Sequence, residues 1–299
     1  MTYVEVKERD GKKYIYLVKT IRTNGGWKKL RKYVGENVSR ETIEKEKKAF
    51  EKTSKTTEFL NGDQINEIEE IRQKFDNYKK KAGTSGLERF NEWFFTELTY
   101  NSNAIEGTSL SLRETSMIIN ENIIPKSSTM REVNEAKNHK EALDFMLDYK
   151  GDVNEKLVLK IHSFILKNID NKNAGNYRKV NVFIYGEDVK FPSPKEVPGK
   201  IRELIRWYKT NKSVIHPIDL AIIFSMKFVS IHPFTDGNGR VSRLLMNYIL
   251  RKNHYPEINI YVKDRANYIK AVRKANEESY EMIIDFAVRT MKKNYEFLE

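Results

Sequence analysis

The stretch from Pro217 to Ile231, PIDLAIIFSMKFVSI, constrains this chain more than any other. Proline suits the first position of a helix, where its missing N–H leaves no bond unmade. The residues after it are apolar on nearly every side, so the segment reads as a buried central helix. It is no membrane span. The run from Leu220 to Ile231 is interrupted by Ser225 and Lys227, and a span needs about 18 apolar residues or more. The rest of the fold must wrap around this helix.

The helix delivers a loop, HPFTDGNGR, at residues 232–240. Gly237 and Gly239 let its backbone take conformations closed to other residues. A second helix follows, with Val241, Leu244, Leu245, Tyr248 and Ile249 at the 3.6-residue spacing of a packed face. Its first turn holds Arg240 and Arg243. A helix N-terminus carries about half a positive charge and prefers acids, so two arginines there are unfavourable unless an anion joins them. Exposed amides, two guanidiniums and glycines together make a phosphate site. Asp236 adds a carboxylate beside it. Mg²⁺ is commonly held by one or two carboxylates plus phosphate oxygens. His232, with an unperturbed pKa near operating pH, is a candidate general base for an incoming hydroxyl.

Composition narrows the class. With 299 residues and 39% hydrophobic content, the chain can bury a sizeable core, and 32% charged residues mark it as a non-membrane protein. The absence of cysteine excludes disulfides, thiolate zinc sites and cysteine nucleophiles. Five histidines, His139, His162, His216, His232 and His254, show no HExxH-type pairing. The opening residues resemble neither a signal peptide nor a transit peptide, and the expected compartment is cytoplasmic. Net charge is +12, of which +7 falls in residues 1–50, where 14 Lys and Arg face 7 Asp and Glu. Nucleic acid is one partner for such a patch; a solvated basic face is the alternative.

The expected architecture is mainly α. Residues 1–38 read as a small basic antiparallel meander, with Asp10-Gly11 and Asn24-Gly25 as hairpin turns. Such a sheet needs a partner surface. Residues 39–84 read as a helical linker region, with Ile65, Ile68, Ile71 and Phe75 on one helix face. KKKAGTSG breaks that helix, and Ser85 with Glu88 has capping-box spacing for the next. Phe90, Trp93, Phe94 and Leu98 would form its apolar stripe. Further helices are expected at 131–149, 154–168, 194–211, 217–231, 237–252 and 265–297. A hairpin with Gly186 near its tip should interrupt them between Gly175 and Pro194.

The nine-residue loop with Arg243 resembles the signature of the Fic family, HxFx[D/E]GNGRxxR, at every defined position. The resemblance implies a Fic-type helical bundle with a β-hairpin flap, its core within 131–299, and an inhibitory helix and connection in 85–130. It implies transfer of AMP from ATP to a Ser, Thr or Tyr hydroxyl of a target protein, itself a candidate target. His232 would be the base, Phe234 the loop's anchor and Asp236 the Mg²⁺ ligand. Gly237, Asn238 and Gly239 would form the anion hole, with Arg240 and Arg243 on the outer phosphates. Tyr268 and Asn276 would contact the nucleoside, and the hairpin at 182–191 would clamp the target by strand-like pairing. SNAIEG, Ser102 to Gly107, resembles the family's inhibitory motif. Ser102 and Glu106 share a helix face at i,i+4, and Glu106 would pair with Arg243 in the γ-phosphate's place. Removal of AMP is the rival reaction, and a nucleic-acid role for the basic sheet, with Tyr14, Tyr16 and Trp27 among its cations, the rival class. The family also suggests a homodimer.

Overall fold

The computed structural model describes residues 2–9, 11–23, 26–53, 55–183 and 189–298. Three strands open the chain: β1 (Thr2–Arg9), β2 (Lys12–Thr23) and β3 (Gly26–Glu36), antiparallel in the order β1-β2-β3. Gly11 has φ 70°, as the expected turn requires; Asp10, Asn24 and Gly25 lie outside the described residues. Leu17 and Val18 are fully buried. Tyr16 packs on Tyr33, ring centroids 5.2 Å apart, and the Arg31 guanidinium lies over Tyr16 at 5.7 Å. These are cross-strand contacts of the kind that stabilise a sheet. The side chain of Trp27 lies outside the described residues.

The sheet's partner surface is helical. Helix α1 (Arg40–Thr53) returns against β3, and α2 (Gly62–Ile105) follows. Between the sheet and α2 lies a cavity of about 380 Å³, with Tyr33, Phe50, Ile65 and the buried His216 among its lining residues. Just before α2, Thr56 bridges to Ile215 in parallel. Thr57 Oγ1 donates to Asp219 Oδ2 at 2.5 Å, tying this segment to the start of the central helix.

Helix α2 has 44 residues. Asn61 and Gln64 cap it reciprocally, and Ile65, Ile68 and Ile71 face the core. The expected break becomes a kink. Gly83 adopts φ 62°, ψ −171°, and helix continues on both sides. Ser85 therefore stands inside the helix, and the capping box expected of Ser85 and Glu88 does not form. Trp93 also departs from expectation. It is 46% exposed, while Phe95 takes the inward position with Phe90, Phe94 and Leu98.

The next helices are α3 (Leu112–Asn120), α4 (Met130–Asp148), α5 (Glu155–Ile165) and α6 (Val197–Asn211). The first lies outside the expected helices, although Ser111 and Glu114 cap it with the same S-x-x-E spacing as Ser85 and Glu88. The central helix, α7 (Pro217–Ile231), is buried everywhere except Lys227, Val229 and Ser230. It is packed by α6, α8 (Asn238–Lys252), α9 (Arg265–Asn276) and α10 (Glu281–Asn294). The single helix expected at 265–297 is thus two. Glu278 takes φ 62°, and the amides of Glu278 and Ser279 close back on the carbonyls of Ala275 and Lys274. That left-handed residue turns the chain so that α10 packs on α9.

Between α5 and α6, Gly186 and the rest of residues 184–188 lie outside the described residues. The flanking stems carry no strand pairing. Among the described residues, no helix is long and apolar enough to cross a membrane.

The kink at Gly83 yields a prediction. Nothing lies within 4 Å of a Cβ added there, so Gly83→Ala meets only backbone strain. Unfolding in urea should show a loss of about 1–3 kcal/mol. An unchanged midpoint would mean that the two halves of α2 can meet without the glycine conformation.

Candidate active site

The end of α7 sets the site's geometry. Its last apolar turn is fixed in the core, and His232 follows in the left-handed region, φ 50° and ψ 60°, its amide donating to the Phe228 carbonyl at 3.1 Å. For a residue with a side chain this conformation is uncommon and must be held by its surroundings. It turns the imidazole out of the helix line. His232 Nδ1 is buried without a hydrogen bond, and the Val229 backbone favours the protonated ring. Burial pushes the His232 pKa down to about 4, and the Arg178 charge adds to the effect; Glu106 and Asp236 oppose it. The ring is therefore neutral near pH 7. Phe191 covers it, with ring centroids 4.3 Å apart.

The loop after His232 is braced from inside. Phe234 is fully buried, and its ring stacks on that of His162 at 3.5 Å, nearly parallel. His162 Nδ1 accepts from the Gly175 amide at 3.0 Å, so its proton is on Nε2, which donates to the Asp236 carbonyl at 3.2 Å. Asn238 closes the loop with two bonds. Its Oδ1 accepts from the Phe234 amide at 2.9 Å, and its Nδ2 donates to the Phe234 carbonyl at 2.8 Å. The side chain of Asn238 is thus a loop staple. Gly237, with φ 79°, lets the chain enter α8.

At the mouth of α8 the cations meet carboxylates. Arg243 is almost completely buried. Its Nε donates to Ser102 Oγ at 3.0 Å, and its Nη2 donates to the Ser102 carbonyl and to Glu106 Oε1, both at 2.7 Å. Gly239 makes the approach of Glu106 possible, since a Cβ there would fall 2.2 Å from Glu106 Oε1. The carboxylate therefore lies over the first turn of α8, where the helix favours an anion. Ser102 and Glu106 come from the end of α2. Arg265 Nε holds that end by donating to the Ile105 carbonyl at 2.8 Å.

Arg240 is buried too, with Nε unpartnered. Its Nη2 donates to Asp236 Oδ1 at 3.1 Å, and Nη1 lies 3.4 Å from Glu135 Oε1. Arg131 bridges the same two carboxylates, at 3.1 Å to Glu135 Oε1 and 2.9 Å to Asp236 Oδ2. Asp236 is half-exposed at the rim. Among the described residues, no three His, Asp or Glu side chains converge as a metal cage; a lone rim carboxylate beside an anion site is the donor set Mg²⁺ uses with phosphates.

Tyr268 is buried against Arg243. Asn276 Oδ1 accepts from Ser230 Oγ at 2.7 Å, which places it at the last turn of α7. The fold thus gathers His232, Asp236, Arg240, Arg243, Glu106 and Ser102 around the glycines at the head of α8. Sequence reading missed Arg178, Glu135, Arg131, Phe191 and the loop-bracing role of His162. Only the position of His162 on an otherwise apolar face of α5 gave a signal.

A family model described as "Fic/DOC family" matches residues 152–250. Those residues form a Fic/DOC family domain. It is 30% identical over 235 residues to Protein adenylyltransferase Fic of Nematostella vectensis, covering 77% of this chain and 54% of that protein. The Drosophila melanogaster protein of the same name is 30% identical over 204 residues, 67% of this chain and 41% of its own length. The chain therefore spans about half the length of the curated relatives it matches. The solved structure of Fic-1 (aa134–508) from C. elegans superposes with TM-score 0.70 at 27% identity, covering 79% of this chain and 71% of that one. A Fic domain-containing signaling protein from Bacteroides thetaiotaomicron shares the fold, with TM-score 0.71 at 24% identity and 78% and 96% coverage.

The buried histidines make a prediction about pH. Burial lowers the pKa of His139 and His216 to about 3, and of His162 and His232 to about 4. The unfolded chain takes up protons below about pH 6.5 that the native chain refuses, so stability falls as pH drops from 6.5 towards 4. Asp219, raised to about 7, and Glu97 and Glu257, also raised, act in the opposite sense, but the four imidazoles, joined by the lowered carboxylates of Glu114, Glu132 and Asp152, outweigh them. The urea midpoint should be lower at pH 4.5 than at pH 7. An equal midpoint would show that these imidazoles protonate in the native state.

Proposed function

We propose that this chain is a protein adenylyltransferase that moves AMP from ATP to a Ser, Thr or Tyr hydroxyl, and that Glu106 holds it inactive. The observation that carries the reading is the buried Arg243, which the Glu106 carboxylate meets at 2.7 Å over the head of α8. A site built for phosphate oxygens is closed by an internal carboxylate.

The chemistry follows from the groups at the mouth. Exposed amides at the start of α8, with Arg240 and Arg243, would grip the β- and γ-phosphates. Gly237, Asn238 and Gly239 would supply backbone donors to the anion. Tyr268 and Asn276 would serve the nucleoside side of the groove. Asp236 would hold Mg²⁺, which when bound neutralises charge between the α- and β-phosphates. With Nδ1 buried, His232 would present Nε2 to the groove. The target hydroxyl would give its proton to that nitrogen as its oxygen bonds to the α-phosphorus. The bond from the α-phosphorus to the β-phosphate bridging oxygen breaks, and pyrophosphate leaves. With Glu106 on Arg243 the γ-phosphate loses its place, so the α-phosphorus is misaligned for attack.

One observation favours a second reading, removal of AMP by water. Glu106 uses Oε1 for Arg243, and its Oε2 makes no hydrogen bond to the described residues; that oxygen is available to orient a water. The basic N-terminal sheet supports no nucleic-acid role beyond its charge. Arg31 is paired with Glu5 at 2.5 Å and Lys32 with Glu46 at 2.8 Å.

Mass spectrometry of the Glu106→Gly protein after incubation with ATP and Mg²⁺ tests the proposal. The expected result is addition of one adenylyl group to the chain or to an added protein target, with little in the parent. No addition to either would reject the transferase reading, and free AMP from an AMP-modified target would favour the hydrolase. His232→Ala in the Glu106→Gly background should abolish transfer while nucleotide binding persists. Since Glu106 raises the His232 pKa of about 4, the base limb of kcat/KM in this background should lie at or below pH 4 and leave the rate flat from about pH 5.5 upward. A midpoint near 6.5 would contradict a desolvated base.

A further inference from the structure

One side chain joins the base to both stems of the flap. Arg178 is 3% exposed and follows the turn that ends at Gly175 and Asn176. Its Nε donates to the His232 carbonyl at 2.7 Å. Its Nη1 donates to the Val180 carbonyl at 3.0 Å and its Nη2 to the Pro192 carbonyl at 2.5 Å. Its own amide donates to the Pro233 carbonyl at 3.0 Å. These four bonds run to three separate pieces of backbone: the catalytic loop, the ascending stem and the descending stem.

Besides these bonds, ring contacts join the pieces: Tyr177 stacks on Phe234, ring centroids 5.8 Å apart. The stems carry no strand pairing with each other. His232 is in a left-handed conformation that its own side chain disfavours, and the Arg178 bond fixes the carbonyl of that same residue. Phe191, next to Pro192, lies on the imidazole at 4.3 Å. Holding Pro192 therefore also holds the ring that covers the base. A planar guanidinium with donors in a fixed fork suits three divergent carbonyls; a lysine ammonium on a flexible stem does not.

We propose that Arg178 is a positioning residue for AMP transfer, setting the His232 imidazole and the target-docking stems in one register. This rests on the transferase reading above, with His232 as base. The Arg178 bonds run to backbone carbonyls and none to Asp236, Arg240 or Arg243, so its loss should leave ATP binding intact. The charged groups facing His232 are Arg178, Glu106 and Asp236. Loss of the guanidinium removes the cation among them, so the imidazole should become easier to protonate.

The experiment uses Arg178→Met and Arg178→Lys in the Glu106→Gly protein. Transfer rate, ATP affinity by calorimetry and the NMR titration of the His232 imidazole are measured together, with His232→Ala assigning the resonance. For Arg178→Met the expected result is a fall in kcat of about 100-fold, the scale of a misplaced reacting group. ATP affinity should stay within about 3-fold, and the imidazole should titrate at higher pH than in the parent. Arg178→Lys should retain the low titration but still lose at least about 10-fold in kcat. It also serves if the Met variant does not fold. A kcat within about 3-fold of the parent in either folded variant would overturn the proposal, as would an equal loss of ATP affinity. If the Glu106→Gly parent itself transfers nothing, the transferase reading fails. The titration shift in Arg178→Met then still reports whether Arg178 governs the imidazole.

Discussion

A guanidinium buried as deeply as that of Arg243 requires an anion. Taking a charge out of water is costly, and leaving it unpaired costs several kcal/mol. Three acceptors answer that need: the Ser102 hydroxyl, the Ser102 carbonyl and the Glu106 carboxylate. Only the last carries charge, and it comes from the final turn of a different helix. The pair therefore couples the end of α2 to the head of α8. The same arrangement makes the contact exchangeable, since a phosphate oxygen offers the guanidinium what the carboxylate offers. Glu106 is partly exposed at the mouth, while Arg243 is not. The cation is the fixed member of the pair and the anion the replaceable one.

Around that pair the backbone is held with unusual thoroughness. Phe234 is sunk into the core beneath the loop, His162 fixes the Asp236 carbonyl from below, and Asn238 staples the loop to itself. Arg178 binds it from the flap side. Such bracing suits a site that must present donors at fixed positions before a ligand arrives, because preorganised dipoles need no rearrangement during reaction. The central helix is the platform, and its burial on almost every side explains why its C-terminal residue can carry an unfavourable backbone conformation.

The parts legible in the sequence were those whose signal is local. The unbroken apolar run after Pro217 announced the core helix, and the arginines at the head of α8 announced an anion by contradicting the helix dipole. Ser102 and Glu106, one turn apart on a helix, could be read as a pair. What was hidden depends on contacts distant in the chain. Arg178 acquires its importance only when the segments around 180, 192 and 232 converge, and Glu135 only when α4 lies beside α8. Glu278 gave no sign of ending a helix, because glutamate is a good helix former and its left-handed conformation is imposed by the return of α10. The capping box at Ser111 was visible, but the same spacing at Ser85 falls two residues past the non-helical Gly83, already inside the helix. Spacing alone does not distinguish the two; the kink tolerated by Gly83 does.

If Glu106 stands in for the outermost phosphate on Arg243, its removal should favour ATP and not AMP. Calorimetric titration of both nucleotides into the parent and Glu106→Gly proteins tests this most directly. A freed, charge-assisted contact is worth about 1.5–3 kcal/mol, so ATP should bind at least about 10-fold more tightly to the variant, with AMP unchanged. Equal ATP affinity in the two proteins, or an equal gain for AMP, would show that the carboxylate does not occupy a phosphate position.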